Sequence, residues 1–336
     1  MVGGGISGIT VAAELALNGI PTTLIERESS LGGLSASFCC KASEACNKCF
    51  ACVVDKRISE FRHQNGVSIL TQTELTGVRR GPDGYTVSFR RGKKRTDLQV
   101  FAVVLATGID PYDATQKAEY GYGRFKNVIT DKDLDEMLRF QGRLHRPSDG
   151  KLPKNVAFFQ CVGSRDESIG NLYCSQVCCA YALRLIRAIR YQYPEVKATF
   201  LYMDIQPAGP NFQPFLNACQ GDKGIRFIRS LPSKVYHSPL PDQLRVRFID
   251  PEMEEVVEES FDLIVLSVGM TLSKGTKSLI ELFRLDLTED GFISSPPSQT
   301  GVFIAGACSG PKDIDRSILH AKSTAFLVQQ HLKGRG

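Results

Sequence analysis

The 336-residue chain is 42% hydrophobic and 23% charged, with 30 Gly and 16 Pro. This composition excludes collagen, coiled coil and wholesale disorder, and the length fits about two domains. A net charge of +5, from 41 Lys and Arg against 36 Asp and Glu, is too mild to point to nucleic acid or an anionic membrane. No apolar run nears the ~18 residues of a spanning helix. Met1-Val2-Gly3-Gly4-Gly5 has neither the basic nor the apolar region of a secretory signal. A protein that does not span a membrane, in the cytoplasm, is the expectation. Eleven cysteines, odd in number and mostly clustered, then read as metal ligands or redox groups rather than structural disulfides.

Helix and strand signals alternate along the chain, as in an α/β protein. The Ala-rich stretch 6–18 predicts a helix, 22–26 the next strand and 67–70 a short one. Strands over 85–89 and 98–105 bracket a basic turn at 90–95 and form a meander. Residues 110–124 read as a loop, 131–140 as a helix with an acidic start, and 142–154 as a loop. A second unit opens with a strand at 155–160, a long helix over 174–193 that stops before Pro194, and strands at 197–205 and 225–229. A hairpin lies within 244–261, a buried strand at 263–268, and the chain closes with strand 301–305 and helix 315–332. The βαβ character recurs coarsely, in 1–110 and again in 155–235.

The first chemical motif is Gly3-x-Gly5-x-x-Gly8. Glycines at this spacing allow a tight turn, close approach of a pyrophosphate and close helix packing, with the helix N-terminus facing the phosphates. Glu26 stands about 20 residues on, where a ribose hydroxyl finds its acceptor. A glycine-rich N-terminal turn is the alternative. Only Met1-Val2 precede the motif, so either its strand is very short or the start lies upstream. Leu31-Gly32-Gly33, Ala106-Thr107-Gly108 and the run 301–308 follow in order. This order resembles FAD-binding flavoproteins of the thioredoxin-reductase-like type, with two dinucleotide-binding (Rossmann-like) domains. The resemblance implies a discontinuous FAD domain over 1–115 and 270–336 and a second domain over 116–269. It places the cofactor against Gly3, Gly5, Ser7, Gly8, Glu26, Arg27, Gly33, Leu34, Val78, Ala106, Thr107, Gly108, Gly306, Ala307, Cys308, Lys312 and Ile314. The closing Gly-Asp of that superfamily is Gly306-Ala307 here, so the usual carboxylate to the ribityl chain is missing.

Cys161-x12-Cys174-x3-Cys178-Cys179 is the second motif. On a helix, Cys174 and Cys178 lie one turn apart on one face, and a loop can return Cys161 to them. Four thiolates at a strand end and a helix start suit a [4Fe–4S] cluster. The helix N-terminus is expected to lower their pKa and offset cluster charge. Zinc and buried structural cysteines are the alternatives, although adjacent cysteines are unlike usual zinc spacing.

These residues carry a more specific resemblance. The stretches 3–10, 119–123, 127–130, 161–183, 202–205, 266–270 and 306–314 resemble the A subunit of heterodisulfide reductase. That resemblance implies FAD in the first domain and a cluster on Cys161, Cys174, Cys178 and Cys179 in the second, where relatives hold a nicotinamide. It puts residues 312–314 near the isoalloxazine. Long members carry extra ferredoxin-like modules for which this chain has no room. It is therefore similar to the short form found in heterodisulfide-reductase-like complexes of sulfur oxidisers and in related complexes of sulfate reducers. Arg184 stands where bifurcating methanogen members are expected to carry Lys, and a cation near a flavin shifts its potentials. Bifurcation is not carried over.

A third motif, Cys39-Cys40-x5-Cys46-x2-Cys49-x2-Cys52, falls where disulfide reductases place a redox pair, but its spacing differs. A second cluster, a set of redox-active or partner-facing thiols, and a structural role all stay open. The run 90–95 reads as a solvated hairpin tip, or a dock for an acidic partner. His63, His145, His237, His320 and His331 show no metal or triad spacing.

Three functions follow. The first is an FAD- and [4Fe–4S]-containing electron-transfer subunit, an oxidoreductase component of sulfur metabolism that serves iron–sulfur partner subunits. The second is a self-contained NAD(P)H-dependent disulfide reductase, which needs a second glycine-rich loop after 155–160 where Cys161-Val162-Gly163-Ser164 stands. The third is a scaffold with a structural flavin. Homodimerisation is expected by superfamily analogy.

Overall fold

The computed structural model describes residues 1–207, 212–238 and 242–334. The chain divides into two compact units. The first comprises Met1–Ser37, Phe50–Asp110 and Thr271–Gly336; the second comprises Phe38–Cys49 and Pro111–Met270.

The first unit opens with α1 (Ile6–Leu17), which buries Ile9, Val11, Ala12 and Leu15. It starts at Gly5 with no side-chain cap and ends at Asn18. β1 (Thr22–Ile25) follows, and α2 (Ala51–Phe61) turns Ala51, Val54 and Phe61 inward. β2 (Val67–Leu70) pairs in parallel with β1. Next come β3 (Thr73–Gly81), β4 (Gly84–Arg91) and β5 (Lys94–Val100), an antiparallel meander. The basic run lies mostly inside this meander rather than in a turn: Arg90 faces Arg95 and Arg91 faces Lys94, with Gly92 at φ +59° closing the hairpin. The single strand expected over 98–105 is two strands. Largely exposed β5 ends at Val100, and Val103-Val104-Leu105 forms β6 (Val103–Leu105), buried throughout. A continuous apolar run of this kind marks a parallel strand covered on both faces.

The second unit contains a five-stranded parallel sheet. Its strands are β7 (Val128–Thr130), β8 (Asn155–Val162), β9 (Lys197–Leu201), β10 (Ile225–Ile228) and, later, β14 (Leu263–Val268). The order is β10-β9-β8-β14-β7. α3 (Asp131–Glu136) starts on a capping box between Thr130 and Asp133. α4 (Cys178–Gln192) and α5 (Phe212–Gln220) follow. Alternation along each strand sorts the side chains. Val156 and Phe158 join Leu134, Leu183 and Ile186 on the helical face. Ala157 and Phe159 join Tyr112, Tyr120 and Phe125 on the other. That second core also holds Val235, Val246 and Phe261 from the antiparallel β11 (Lys234–His237), β12 (Leu244–Asp250) and β13 (Glu255–Phe261).

The chain then returns to the first unit with α6 (Lys277–Phe283), β15 (Val302–Ile304) and α7 (Ile314–Lys333). β15 pairs in parallel with β6, and Val2 bridges Ile25 and Leu105. The order is therefore β2, β1, residues 1–2, β6, β15. Val11 and Leu15 of α1 share a core with Ala321, Ala325 and Val328 of α7.

One expected element changes the site. The helix expected over 174–193 begins at Cys178, so Cys174 and Cys178 do not share a helical face. Residues 174–177 form an irregular segment in which Gln176 takes φ +60°.

Candidate functional site

Sharp backbone demands shape the glycine loop of the first unit. Gly3 has φ +103°, and a Cβ there would overlap the carbonyl of Ala106. A Cβ on Gly8 would overlap the carbonyl of Gly3. Gly5 differs, because a Cβ there would stand in open space at the uncapped start of α1. That space, faced by the unshared N–H groups of a first helical turn, fits a phosphate. Glu26 holds the loop: Gly4 N–H donates to Oε2 (2.6 Å) and Glu28 N–H to Oε1 (2.8 Å). Each carboxylate oxygen keeps acceptor capacity for a hydroxyl.

The other predicted positions of this unit fall as follows. Gly5 bridges Gly32, and a Cβ on Gly33 (φ +57°) would press on Gly5. Leu34 lies in the short helix Gly33–Ser37. Arg27 pairs with Glu28 (3.2 Å). Ala106 is buried after β6, Gly108 takes φ +68° with open space beside it, and the hydroxyl of Thr276 donates to that of Thr107 (2.8 Å). Gly306 takes φ +80°, and a Cβ there would overlap Ser7 Oγ. Ala307 and Cys308 occupy the turn Gly306–Ser309, with Cys308 buried and its thiol raised in pKa by burial. Lys312 Nζ donates to Ser309 Oγ (3.0 Å) and to Gly310 O (3.3 Å), and burial lowers its pKa. Ile314 begins α7, which Asp313 caps through Arg316 N–H (2.8 Å). Val78 sits in β3 against the core of Val2, Leu75 and Leu105.

Sequence spacing missed His320. Its Nδ1 accepts the N–H of Gly306 (3.0 Å), and burial followed by the charge of Lys312 lowers its pKa. The ring is therefore held neutral, with a lone pair available to fix the turn that presents Gly306 beside Ser7.

In the second unit the four spaced cysteines meet at the C-terminal end of β8 and the head of α4. Cys161 takes φ +60°, a region that β-carbon-bearing residues rarely enter. Cys174 Sγ accepts Gln176 N–H (3.2 Å). Cys178 and Cys179 open α4, with their thiols facing Val268 O (3.6 Å) and Asp204 O (3.9 Å). Ser175, fully buried, accepts Met270 N–H (2.9 Å), and the Tyr173 hydroxyl donates to Met270 O (2.7 Å). These two bonds clip the connecting segment in place. Arg165 forms a two-pronged pair with Asp204.

The thiols of Cys161, Cys178 and Cys179 are each raised in pKa in part by the charge of their cysteine neighbours. Burial is the larger effect: it pushes Cys161 up to about 12, Cys178 well above the ordinary thiol value, and Cys179 upward as well. This corrects the expectation that the helix N-terminus lowers them. Desolvation of a buried thiolate outweighs half a unit of helix-end charge. All described cysteines are free thiols. Among the described residues no three His, Cys, Asp or Glu side chains gather tightly enough to hold a single metal ion.

The third cysteine motif is split. Cys39, Cys40, Cys46 and Cys49 belong to the second unit, and Cys52, on α2, to the first. Residues 38–49 form a strap. Asp135 accepts Cys39 N–H (2.6 Å), Lys41 Nζ (2.7 Å) and the Tyr181 hydroxyl. Arg139 donates to Phe38 O, and Arg184, on α4, donates to Asn47 O (2.9 Å). Cys39 is buried, while Cys40 and Cys46 are exposed.

Residues 1–78 match the family of NAD(P)-binding Rossmann-like domains. The iron–sulfur A 2 subunit of the CoB–CoM heterodisulfide reductase of Methanopyrus kandleri is 32% identical across 97% of this chain. The A subunit of the H2:CoB–CoM heterodisulfide,ferredoxin reductase of Methanothermobacter marburgensis is 40% identical across 68% of it. The chain is a homologue of the heterodisulfide reductase A subunit. It spans 63% of the length of the first of these relatives and 36% of the second. Thioredoxin reductases of T. acidophilum and Lactococcus lactis superpose with TM-scores of 0.64 and 0.63 at 14% and 16% identity. Each covers 99% of this heterodisulfide reductase homologue. They establish a thioredoxin-reductase-like fold for it. Among its described residues no helix is long and apolar enough to cross a membrane.

Proposed function

We propose that this heterodisulfide reductase homologue is an FAD- and [4Fe–4S]-containing electron-transfer oxidoreductase subunit of a heterodisulfide-reductase-like complex. The observation that carries this reading is the contrast between the two glycine loops. In the first unit Gly5 faces open space. In the second a Cβ on Gly163 would overlap the ring of Tyr112. One loop leaves room for a pyrophosphate; the other is filled by protein and flanked by free thiols. That contrast disfavours the NAD(P)H-dependent disulfide reductase reading.

The first unit, in this reading, is the FAD domain. Gly3, Gly5 and Gly8 cradle the pyrophosphate, Glu26 accepts from the ribose, and Gly306 and Lys312 line the flavin end. The second unit holds the cluster on Cys161, Cys174, Cys178 and Cys179. The donor set fits: a cubane takes four thiolates spread around it, whereas a zinc ion draws its sulfurs to about 2.3 Å from one point. The raised pKa values of Cys161, Cys178 and Cys179 mean that these ligands would release protons as metal binds. When bound, the flavin supplies two-electron chemistry and the cluster one-electron transfer. The chain contributes binding, spacing and tuning. Iron–sulfur partner subunits, a sulfur- or disulfide-linked substrate on those partners, a cytoplasmic setting and homodimerisation complete the proposal.

Anaerobic preparation with assay of iron, acid-labile sulfide and flavin tests it. About four irons, four sulfides and one FAD per chain are expected, with no flavin reduction by stoichiometric NADH. FAD without iron would remove the cluster. Stoichiometric reduction by NADH would favour the stand-alone reductase.

A further inference from the structure

Where β8 ends, its ladder with β14 breaks step. Phe159 pairs with Leu266 and Val162 with Val268, so β8 carries one residue more than β14 over this stretch. That extra residue makes a β-bulge, and Cys161, at φ +60°, is the one that leaves the strand conformation. Up to the bulge the alternation of side chains holds. Val156 and Phe158 on β8, with Leu263 and Val265 on β14, share a core with Cys179, Ala180 and Leu183 of α4. Gln160 and Ser267 are the next residues on that face, and both are buried, at 2% and 0% exposure.

Two polar side chains at these positions need a reason, because the same face is apolar before them. Gln160 Nε2 donates to Ser267 Oγ (2.7 Å). Gln160 Oε1 is buried and has no hydrogen-bond partner among the described residues, at a cost of about 1–3 kcal/mol. A methionine would fill the same space without that cost. Val268, the residue after Ser267, supplies the reason. Its carbonyl faces Cys178 Sγ (3.6 Å), and its N–H goes to the buried carboxylate of Asp131. While Cys178 holds its proton, the thiol donates to that carbonyl. As a metal ligand the sulfur carries no proton, and the N–H of Val268 is already committed. The sulfur then needs a donor, and the Gln160 amide has two N–H groups to give. A half-turn of the amide exchanges its ends. The Ser267 hydroxyl, which donates as well as accepts, then bonds to Oε1, and Nε2 takes the place that Oε1 held.

We propose that Gln160 is a hydrogen-bond donor to the cysteine site: its amide turns to donate from Nε2 to the sulfur of Cys178 when that residue ligates metal, and Ser267 holds the turned amide. This assignment rests on the [4Fe–4S] reading above and adds a residue to it. A donor to a ligand sulfur favours the more negative, reduced state, so it raises the reduction potential.

Gln160→Met and Ser267→Ala, each in the full chain, test the assignment against the parent. The readouts are iron per chain after anaerobic reconstitution, the midpoint potential in an EPR-monitored redox titration, and Tm of the metal-free forms. Gln160→Met is expected to keep about four irons and to lower the one-electron equilibrium constant for reduction about tenfold, a shift of ~59 mV to more negative potential. Metal-free, it is expected to unfold at the parent's Tm or above it, because the orphaned acceptor is gone. Ser267→Ala is expected to shift the potential the same way by a smaller amount. Variants that hold the parent's iron at the parent's potential would overturn the assignment and leave the cluster reading standing. So would a metal-free Gln160→Met that melts well below the metal-free parent, since the amide would then be a structural bond. If Gln160→Met holds no iron, Ser267→Ala decides: a negative shift supports the turned amide, and the parent's potential overturns it. Loss of iron from both variants overturns it as well. A parent chain without iron overturns the cluster reading and this assignment together.

Discussion

Lys41 and Asp135 form an ion pair at 2.7 Å with side-chain exposures of 1% and 0%, so solvent screening does not weaken it. Its ammonium also lies 5.4 Å from the ring centre of Phe38 and 5.0 Å from that of Tyr181. Removing one partner of such a pair strands a buried charge, at about 3–5 kcal/mol. Lys41→Met is expected at the lower end. The stem packing survives, and Asp135 keeps the Cys39 N–H (2.6 Å) and the Tyr181 hydroxyl. Asp135→Leu is expected at the upper end, because it leaves the ammonium, an N–H and a hydroxyl without their acceptor. Combining the two removes both charges, and the double variant is expected to recover the part of the loss due to the stranded charge, while the Cys39 N–H and the Tyr181 hydroxyl stay without an acceptor. Urea unfolding measures the stability, and thiol labelling measures the strap. Buried Cys39 becomes reactive in each single variant, with exposed Cys40 as the internal reference. Single variants within about 0.5 kcal/mol of the parent, with Cys39 still protected, would refute the clamp. So would a double variant as unstable as the sum of its parents.

Gly5→Ala places its methyl in open space and Gly163→Ala places one in the Tyr112 ring at φ +81°. The first is expected to unfold with the Tm of the flavin-free parent but to lose flavin on gel filtration; the second is expected to lose about 2–5 kcal/mol in urea unfolding. Serine at any one of Cys161, Cys174, Cys178 or Cys179 is expected to lower iron content by more than half after anaerobic reconstitution, while Cys219→Ala, which alters a thiol of the core beside Leu216, keeps it. His320 has a lowered folded pKa, so as pH falls below about 6.5 the unfolded chain takes up a proton that the native ring resists. Stability is therefore complete above that pH and declines below it. His320→Asn, which keeps an acceptor for Gly306, is expected to flatten the change in Tm between pH 7.5 and 5.5, and an unchanged slope would rule the ring out as its source.

The glycine loop at the head of α1 was open to reading from residue order because its conformation is largely local. Gly3, Gly5 and Gly8 precede a helix, and Glu26 ends the next strand. Turn geometry and helix-end donors need no distant partner. The α/β alternation was legible for the same reason, since strand and helix periods are written within each segment. The cysteine run was legible as a set but not as a geometry. Where α4 begins depends on Ser175 and Tyr173 reaching Met270, 95 and 97 residues away, and that contact moves Cys174 off the helix. The thiol pKa values depend on burial, which residue spacing does not report.

The strap carries the same lesson. Nothing near Lys41 announces a buried cation, because its partner Asp135 lies 94 residues on, and that bond groups 38–49 with the second unit. His320 looked ordinary because its partner is a backbone N–H exposed by the turn at Gly306. Residue order thus settled the local conformations and the chemical types. Which of those groups meet, and which are desolvated when they do, came from contacts between segments far apart along the chain, because burial and charge pairing belong to a packed volume and not to any stretch of sequence.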